Sequence, residues 1–158
     1  MARRHRSLER KVVPDAKYGN IEIAKFIMKV MQDGKKATAR RIVYDAIEKF
    51  AKKVAAEDTP VEAFERALEN AKPQVEVKSR RIGGATYQVP IEVPPARKRS
   101  LAMKWIITYA KAKPGRNMVD ALSQELQDCF NCQGSTIKKR DDVHRMAEAN
   151  KAFAHYKW

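Results

Sequence analysis

A chain of 158 residues with 33 Lys and Arg against 19 Asp and Glu carries a net charge of +14, a length that fits one domain with a real core and a charge that calls for a polyanionic partner. The longest apolar stretches run only a few residues, which excludes a transmembrane helix. Two cysteines make no disulfide framework and suit a reducing, cytoplasmic setting.

Residues 1–19 read as a basic, extended arm punctuated by Pro14 and Gly19; Met1-Ala-Arg-Arg-His-Arg resembles a signal n-region, but no apolar stretch follows, so secretion is not expected. Asn20 caps a first helix with Ile23, Phe26, Ile27, Val30 and Met31 at helical spacing, ended by Gly34. A second helix is predicted over about Lys35 to Ala56, with Ala39, Ile42, Val43, Ala46, Ile47, Phe50 and Val54 inward. Thr59-Pro60-Val61-Glu62 is a capping box that opens a third, which buries Val61, Phe64, Ala67, Leu68 and Ala71. Residues 74–93 then break the helical period with two alternating runs that meet at Gly83-Gly84, the signature of a β-hairpin. Pro94-Pro95 opens a fourth helix with Leu101, Ala102, Trp105, Ile106 and Tyr109 inward, and Lys113-Pro114-Gly115 closes it. Asn117 caps a fifth with Met118, Ala121, Leu122, Glu125, Leu126 and Cys129 along one side. Gly134 breaks it, and a last helix places Val143, Met146, Ala147, Asn150 and Phe153 on its face, followed by a tail over 154–158. The expected fold is mainly α: a single domain, 1–158, of about six helices with a protruding two-stranded β-ribbon between the third and fourth.

The face pattern of the ribbon favours a three-residue loop, Gly83-Gly84-Ala85. This loop pairs Val75 with Val93, Val77 with Ile91, Ser79 with Val89 and Arg81 with Tyr87, and gathers the apolar residues on one face. Strands of ~7 residues would reach roughly 23 Å from the body.

The charge is unevenly placed. Residues 1–17 hold six basic and two acidic groups, 72–104 eight and two, and 134–158 six and three, while the remaining helices are nearly neutral. Three cationic elements on a neutral scaffold fit nucleic acid. No basic stretch is backed by the apolar face that a membrane surface requires. The residues expected to contact RNA are Arg3, Arg4, Arg6, Arg10 and Lys11 on the arm, Lys78, Arg80 and Arg81 on the ribbon, Arg97, Lys98, Arg99 and Lys104 after it, and Lys138, Lys139 and Arg140.

Other constellations read more plainly as structure. Cys129 and Cys132 form a CxxC with no second pair to complete a zinc site, at a helix end rather than a helix start. Asp141, Asp142 and His144 fit a solvated first turn favoured by the helix dipole. No GxSxG, phosphate loop or HExxH is present, so no enzyme, cofactor or metal site is expected. Phe26, Phe50, Phe64 and Trp105 sit on core stripes, whereas Tyr87 and the terminal His155, Tyr156 and Trp158 are candidates for base stacking. An architectural DNA-binding protein is the rival reading, although minor-groove arms carry apolar wedges and this tip offers glycines.

Several segments together resemble the bacterial-type small-subunit ribosomal protein seven family: Val75–Val93, Leu101-Ala102-Met103-Lys104-Trp105, Lys138 through Trp158, Asp33-Gly34-Lys35-Lys36 and Ala67-Leu68-Glu69-Asn70. The chain departs from the family pattern at Pro94–Lys98 and at the CxxC. The resemblance implies a structural constituent of the small ribosomal subunit that binds the 3′ major domain of 16S rRNA and nucleates head assembly. It implies a place near the tRNA exit site and mRNA exit path, with platform protein eleven and head protein nine as neighbours. It adds Lys35 and Lys36 to the rRNA-binding set and places Arg80, Arg81, Gly83, Gly84, Tyr87, Tyr156 and Trp158 near exit-site tRNA.

Overall fold

The computed structural model describes residues 12–54 and 59–156. Arg3, Arg4, Arg6, Arg10 and Lys11 of the arm, the expected end of the second helix near Ala56, and Trp158 lie outside the described residues. Within them the elements run α1 (Ile21–Val30), α2 (Lys36–Ala51), α3 (Pro60–Ala71), β1 (Val75–Ile82), β2 (Ala85–Glu92), α4 (Pro95–Ala112), α5 (Met118–Phe130), α6 (Gly134–Ala149) and a 3-10 helix, Lys151–Tyr156.

Local chemistry sets most boundaries. Asn20 accepts from the backbone of Glu22 and Ile23 at the start of α1, Thr59 and Glu62 close a reciprocal capping box on α3, and Asn117 caps α5 through Asp120 N–H. Each satisfies amides that a helix start leaves without intrahelical partners. The second helix stops at Ala51, earlier than its apolar pattern predicts: Lys53 and Val54 fold back as a turn onto Phe50 O, so Val54 still packs on the core from outside the helix.

Five helices, α1 to α5, supply the main apolar cluster, with Phe26, Phe50 and Phe64 fully buried and Phe26 edge-on to Phe64 at 5.3 Å. Each such ring contributes about 1.5–3 kcal/mol by leaving water. On α4 the buried stripe is Ala102, Met103, Ile106, Ile107 and Ala110. Leu101, Trp105 and Tyr109, expected inward, are half-buried at its margin. On α6 the buried residues are Thr136, Ile137 and Ala147, whereas Met146, expected inward, is 49% exposed.

The ribbon corrects the expected register. Val75 pairs with Glu92, Val77 with Pro90, Ser79 with Gln88 and Arg81 with Thr86, closing on the two-residue loop Gly83-Gly84. Both glycines have positive φ, +55° and +91°, the conformation a type I′ turn demands and one whose twist matches the strands. Proline explains why the slip is not taken. Val93 N–H donates to Gln74 O at 3.0 Å, so even-numbered β1 residues hold the hydrogen-bonded positions and Pro90, opposite Val77, gives up no ladder bond. A loop one residue longer would set Pro90 opposite Lys78, at a bonded position. Both ribbon faces are therefore mixed. One carries Glu76, Lys78, Arg80, Ile82, Tyr87, Val89 and Ile91; the other carries Val75, Val77, Ser79, Arg81, Thr86, Gln88 and Pro90.

Candidate nucleic-acid interface

Helix α1 buries Ile23, Phe26, Ile27 and Val30. At 100° per residue its opposite side then carries Lys25, Met28 and Lys29. Met28 is 41% exposed and separates two grooves. One is lined by Lys25, Lys29, Ala96, Arg99 and Ser100, between α1 and the start of α4. The other is lined by residues 12–16, Ala24, Lys36 and Arg40, between α1, α2 and the root of the N-terminal arm. Cations from three helices thus border one surface, and the chain leading to the basic arm emerges beside it.

This surface is ordered by sparse acids. Glu22 sits 3.3 Å from both Lys25 Nζ and Arg99 Nη1, and Lys29 Nζ donates to Ser100 Oγ at 2.8 Å. Asp15 fixes the root of the arm by accepting from Lys17 N–H, Tyr18 N–H and the Tyr44 hydroxyl at 3.1, 3.2 and 2.7 Å. Burial pushes its carboxyl upward, but these donors outweigh it and hold the group below its ordinary value. Long cationic side chains gathered over few acids can neutralise phosphates and release counterions.

The expected contact residues divide by what they touch. Lys36, Lys104 and Lys138 are exposed, Lys35 stands 3.9 Å from Asp33, and Lys139 is half-buried. Arg97 Nε donates to both oxygens of Glu76 at 2.7 and 2.9 Å. Lys98 donates to the Gln74 side chain. Arg140 donates to Asn70 O at 2.6 Å and to Asp141. These residues pin the ribbon base and α6 to the body as well as contributing charge.

At the ribbon, Arg81, Gly83 and Gly84 are exposed. Arg80 donates to Tyr156 O, and Tyr87 packs against Phe153 and Tyr156 with ring centroids 5.4 and 5.3 Å away. The structure therefore brings Arg80, Tyr87 and Tyr156 together as a contact between the ribbon and the C-terminal 3-10 helix. Lys78 lies 4.0 Å from Glu76. At the ribbon base His144 Nε2 accepts from Gln74 N–H at 2.9 Å, which needs the neutral ring. Burial, Arg140 and Lys98 push its pKa down, against the opposing Asp141. Cys129 is buried and its thiol is pushed up to about 12 by burial and then Glu125, while Cys132 is exposed.

Sequence reasoning missed Lys25, Lys29 and Arg40. Their signal was the i, i+4 spacing of Lys25 with Lys29 and of Lys36 with Arg40, which puts each pair on one helix face. The near-zero net charge of residues 18–71 hid it, because Glu57, Asp58, Glu62, Glu65 and Glu69, farther along the chain, offset these cations in the count.

The family described as ribosomal protein S7p/S5e matches residues 2–151. Over 158 residues and the full length of both chains, the sequence is 66% identical to the small ribosomal subunit protein uS7 of Protochlamydia amoebophila (strain UWE25). It is likewise 65% identical over 159 residues to that of Chlamydia felis (strain Fe/C-56), and 62% identical to that of Chlamydia trachomatis serovar D, again across all of each chain. The chain belongs to the ribosomal protein S7p/S5e family.

Proposed function

We propose that this chain is a structural, non-enzymatic constituent of the small ribosomal subunit that grips the 3′ major domain of 16S rRNA through the cationic face around Met28. The convergence of Lys25, Lys29, Lys36, Arg40 and Arg99 on two adjoining grooves supports this reading. In this reading Arg3, Arg4, Arg6, Arg10 and Lys11 of the basic N-terminal segment, with Lys78 and Lys104, supply further phosphate contacts, and Lys138, Lys139 and Arg140 form another group. Shape selects the RNA, because an A-form duplex offers side chains little sequence to read in its deep groove.

In this reading early binding nucleates assembly of the head beside protein nine. The exposed tip with Arg81, Gly83 and Gly84 reaches the tRNA exit site and mRNA exit path, and the C-terminal tail approaches platform protein eleven. Family membership and the ribbon's projection support these placements. Hydroxyl-radical footprinting of small-subunit RNA tests the reading: protection confined to the 3′ major domain is expected, and protection elsewhere refutes it. With ~6–10 phosphates engaged, affinity falls by roughly 10³–10⁵ between low and moderate salt. A preference for duplex DNA in competition would favour the architectural DNA reading instead.

A further inference from the structure

The basic segment around the ribbon contains a carboxylate that simple electrostatics does not explain. Glu76 has a side chain only 11% exposed, in a region that must approach phosphates. An acid there repels the partner unless it orders the cations beside it, and Glu76 stands against Arg97 and Lys78.

Its surroundings define that role. Gln74, two residues before it, is held three ways: its N–H donates to His144, its side chain takes Lys98, and its carbonyl takes Val93 N–H. Glu76 therefore stands at a fixed point where the ribbon leaves the body. Arg97, in the first turn of α4, turns its Nε edge to both oxygens of this carboxylate, yet its side chain stays 50% exposed. The Nε edge is thereby used, and the two Nη groups are left as the planar fork that takes a phosphate bidentately.

We propose that Glu76 is a positioning residue that holds Arg97 by Nε so that its Nη fork docks a backbone phosphate of the bound RNA. The proposal rests on the rRNA-binding reading above. Its consequence runs against Coulomb's law: removing this negative charge weakens binding to a polyanion. An untethered arginine must lose its rotamer freedom on binding, which amounts to about three- to tenfold in affinity.

The test is equilibrium binding of the full chain to a transcript of the 3′ major domain across a salt series, with melting by circular dichroism to confirm folding. Glu76→Gln is expected to weaken binding about three- to tenfold, with the salt slope unchanged because the untethered arginine still reaches its phosphate. Arg97→Gln, which loses the contact itself, is expected to weaken binding at least as much and to reduce the salt slope by about 0.7–0.9, and the double variant to be no worse than Arg97→Gln alone. Glu92→Gln, which removes an exposed carboxylate from the neighbouring strand, supplies the purely electrostatic comparison and is expected to bind as well as the parent or slightly better. Unchanged or tighter binding by Glu76→Gln, or fully additive losses, would overturn the proposal. Should Glu76→Gln not fold, Arg97→Lys carries the same decision. It keeps the charge but not the fork, so weaker binding supports the proposal and parental affinity overturns it. A parent chain with a flat salt response, or one preferring duplex DNA, would instead overturn the rRNA reading itself.

Discussion

Helix α6 begins at Gly134 with no side-chain cap of its own from Gln133; the missing acceptor comes from another helix. Glu125 of α5 is fully buried, and its Oε1 accepts from Thr136 N–H at 3.2 Å and Thr136 Oγ1 at 2.7 Å. Its other oxygen lies 2.9 Å from Lys113 Nζ, which also reaches Asp128 at 2.8 Å. Glu125→Leu strands a buried amide and hydroxyl and removes one partner of a buried ion pair, for which losses of about 3–5 kcal/mol are usual. Asp128 still holds Lys113, so the lower end, about 3 kcal/mol, is expected, or roughly 6–12 °C in melting temperature for a chain of this size. Glu125→Gln keeps an acceptor for Thr136 and should lose only about 1–2 kcal/mol. Urea unfolding followed by circular dichroism measures both, with the midpoint falling and the slope unchanged. A Glu125→Leu midpoint equal to or above the parent would refute the reasoning, since the cluster would then be no better than an apolar core. The pH dependence carries a sign as well. Burial alone would lower the Lys113 pKa, but its bonds to Asp128 and Glu125 outweigh that and raise it above 10.5. Its contribution is therefore complete below about pH 10.5 and lost as pH rises through the higher folded value.

Three further expectations follow from particular groups. His144 accepts from Gln74 only when neutral and has a lowered pKa, so its contribution is present above about pH 6.5 and lost as pH falls through the lower folded value; His144→Gln should flatten that part of the stability–pH curve, and an unchanged curve would contradict the bond's importance. At pH 8 iodoacetamide should label Cys132 and spare Cys129, whose thiol is buried and pushed up to about 12, with RNA binding intact; mass spectrometry showing equal labelling would contradict the packing. Gly84→Ala forces a Cβ into φ +91° and should cost about 1–2 kcal/mol, measured by urea unfolding, while a variant as stable as the parent would argue against the two-glycine turn.

What the sequence made legible was local. The Asn20 and Asn117 caps and the Thr59/Glu62 box each involve residues within one helical turn, so residue type and spacing suffice to read them. Glu125 could be placed on the inner face of α5 by periodicity, but its partners come from a chain turn and a helix start, which no spacing within α5 encodes. The ribbon register was misread because period-two alternation sorts faces only where one face is dry. This ribbon packs chiefly at its base and under the 3-10 helix, so Gly83, Gly84 and Pro90 decide the register instead. On α4 the bulky Trp105 and Tyr109 drew the predicted stripe toward the margin of the true one, centred on Ala102, Met103 and Ile106. The cationic face escaped notice because Lys25 and Lys29 belong to α1, Arg40 to α2 and Arg99 to α4, and only folding gathers them in the two grooves that adjoin at Met28.

The central claim is that RNA lies against the Met28 face, and a tethered cleavage reagent tests it most directly. In a Cys132→Ser background, an iron chelate that generates hydroxyl radicals would be attached at Met28→Cys, and separately at Asp45→Cys. Asp45 lies nine residues beyond Lys36 and about 180° around α2 from it. The account predicts cleavage within the 3′ major domain from position 28 and little or none from position 45. Equal cleavage from both positions, or stronger cleavage from 45, would contradict it.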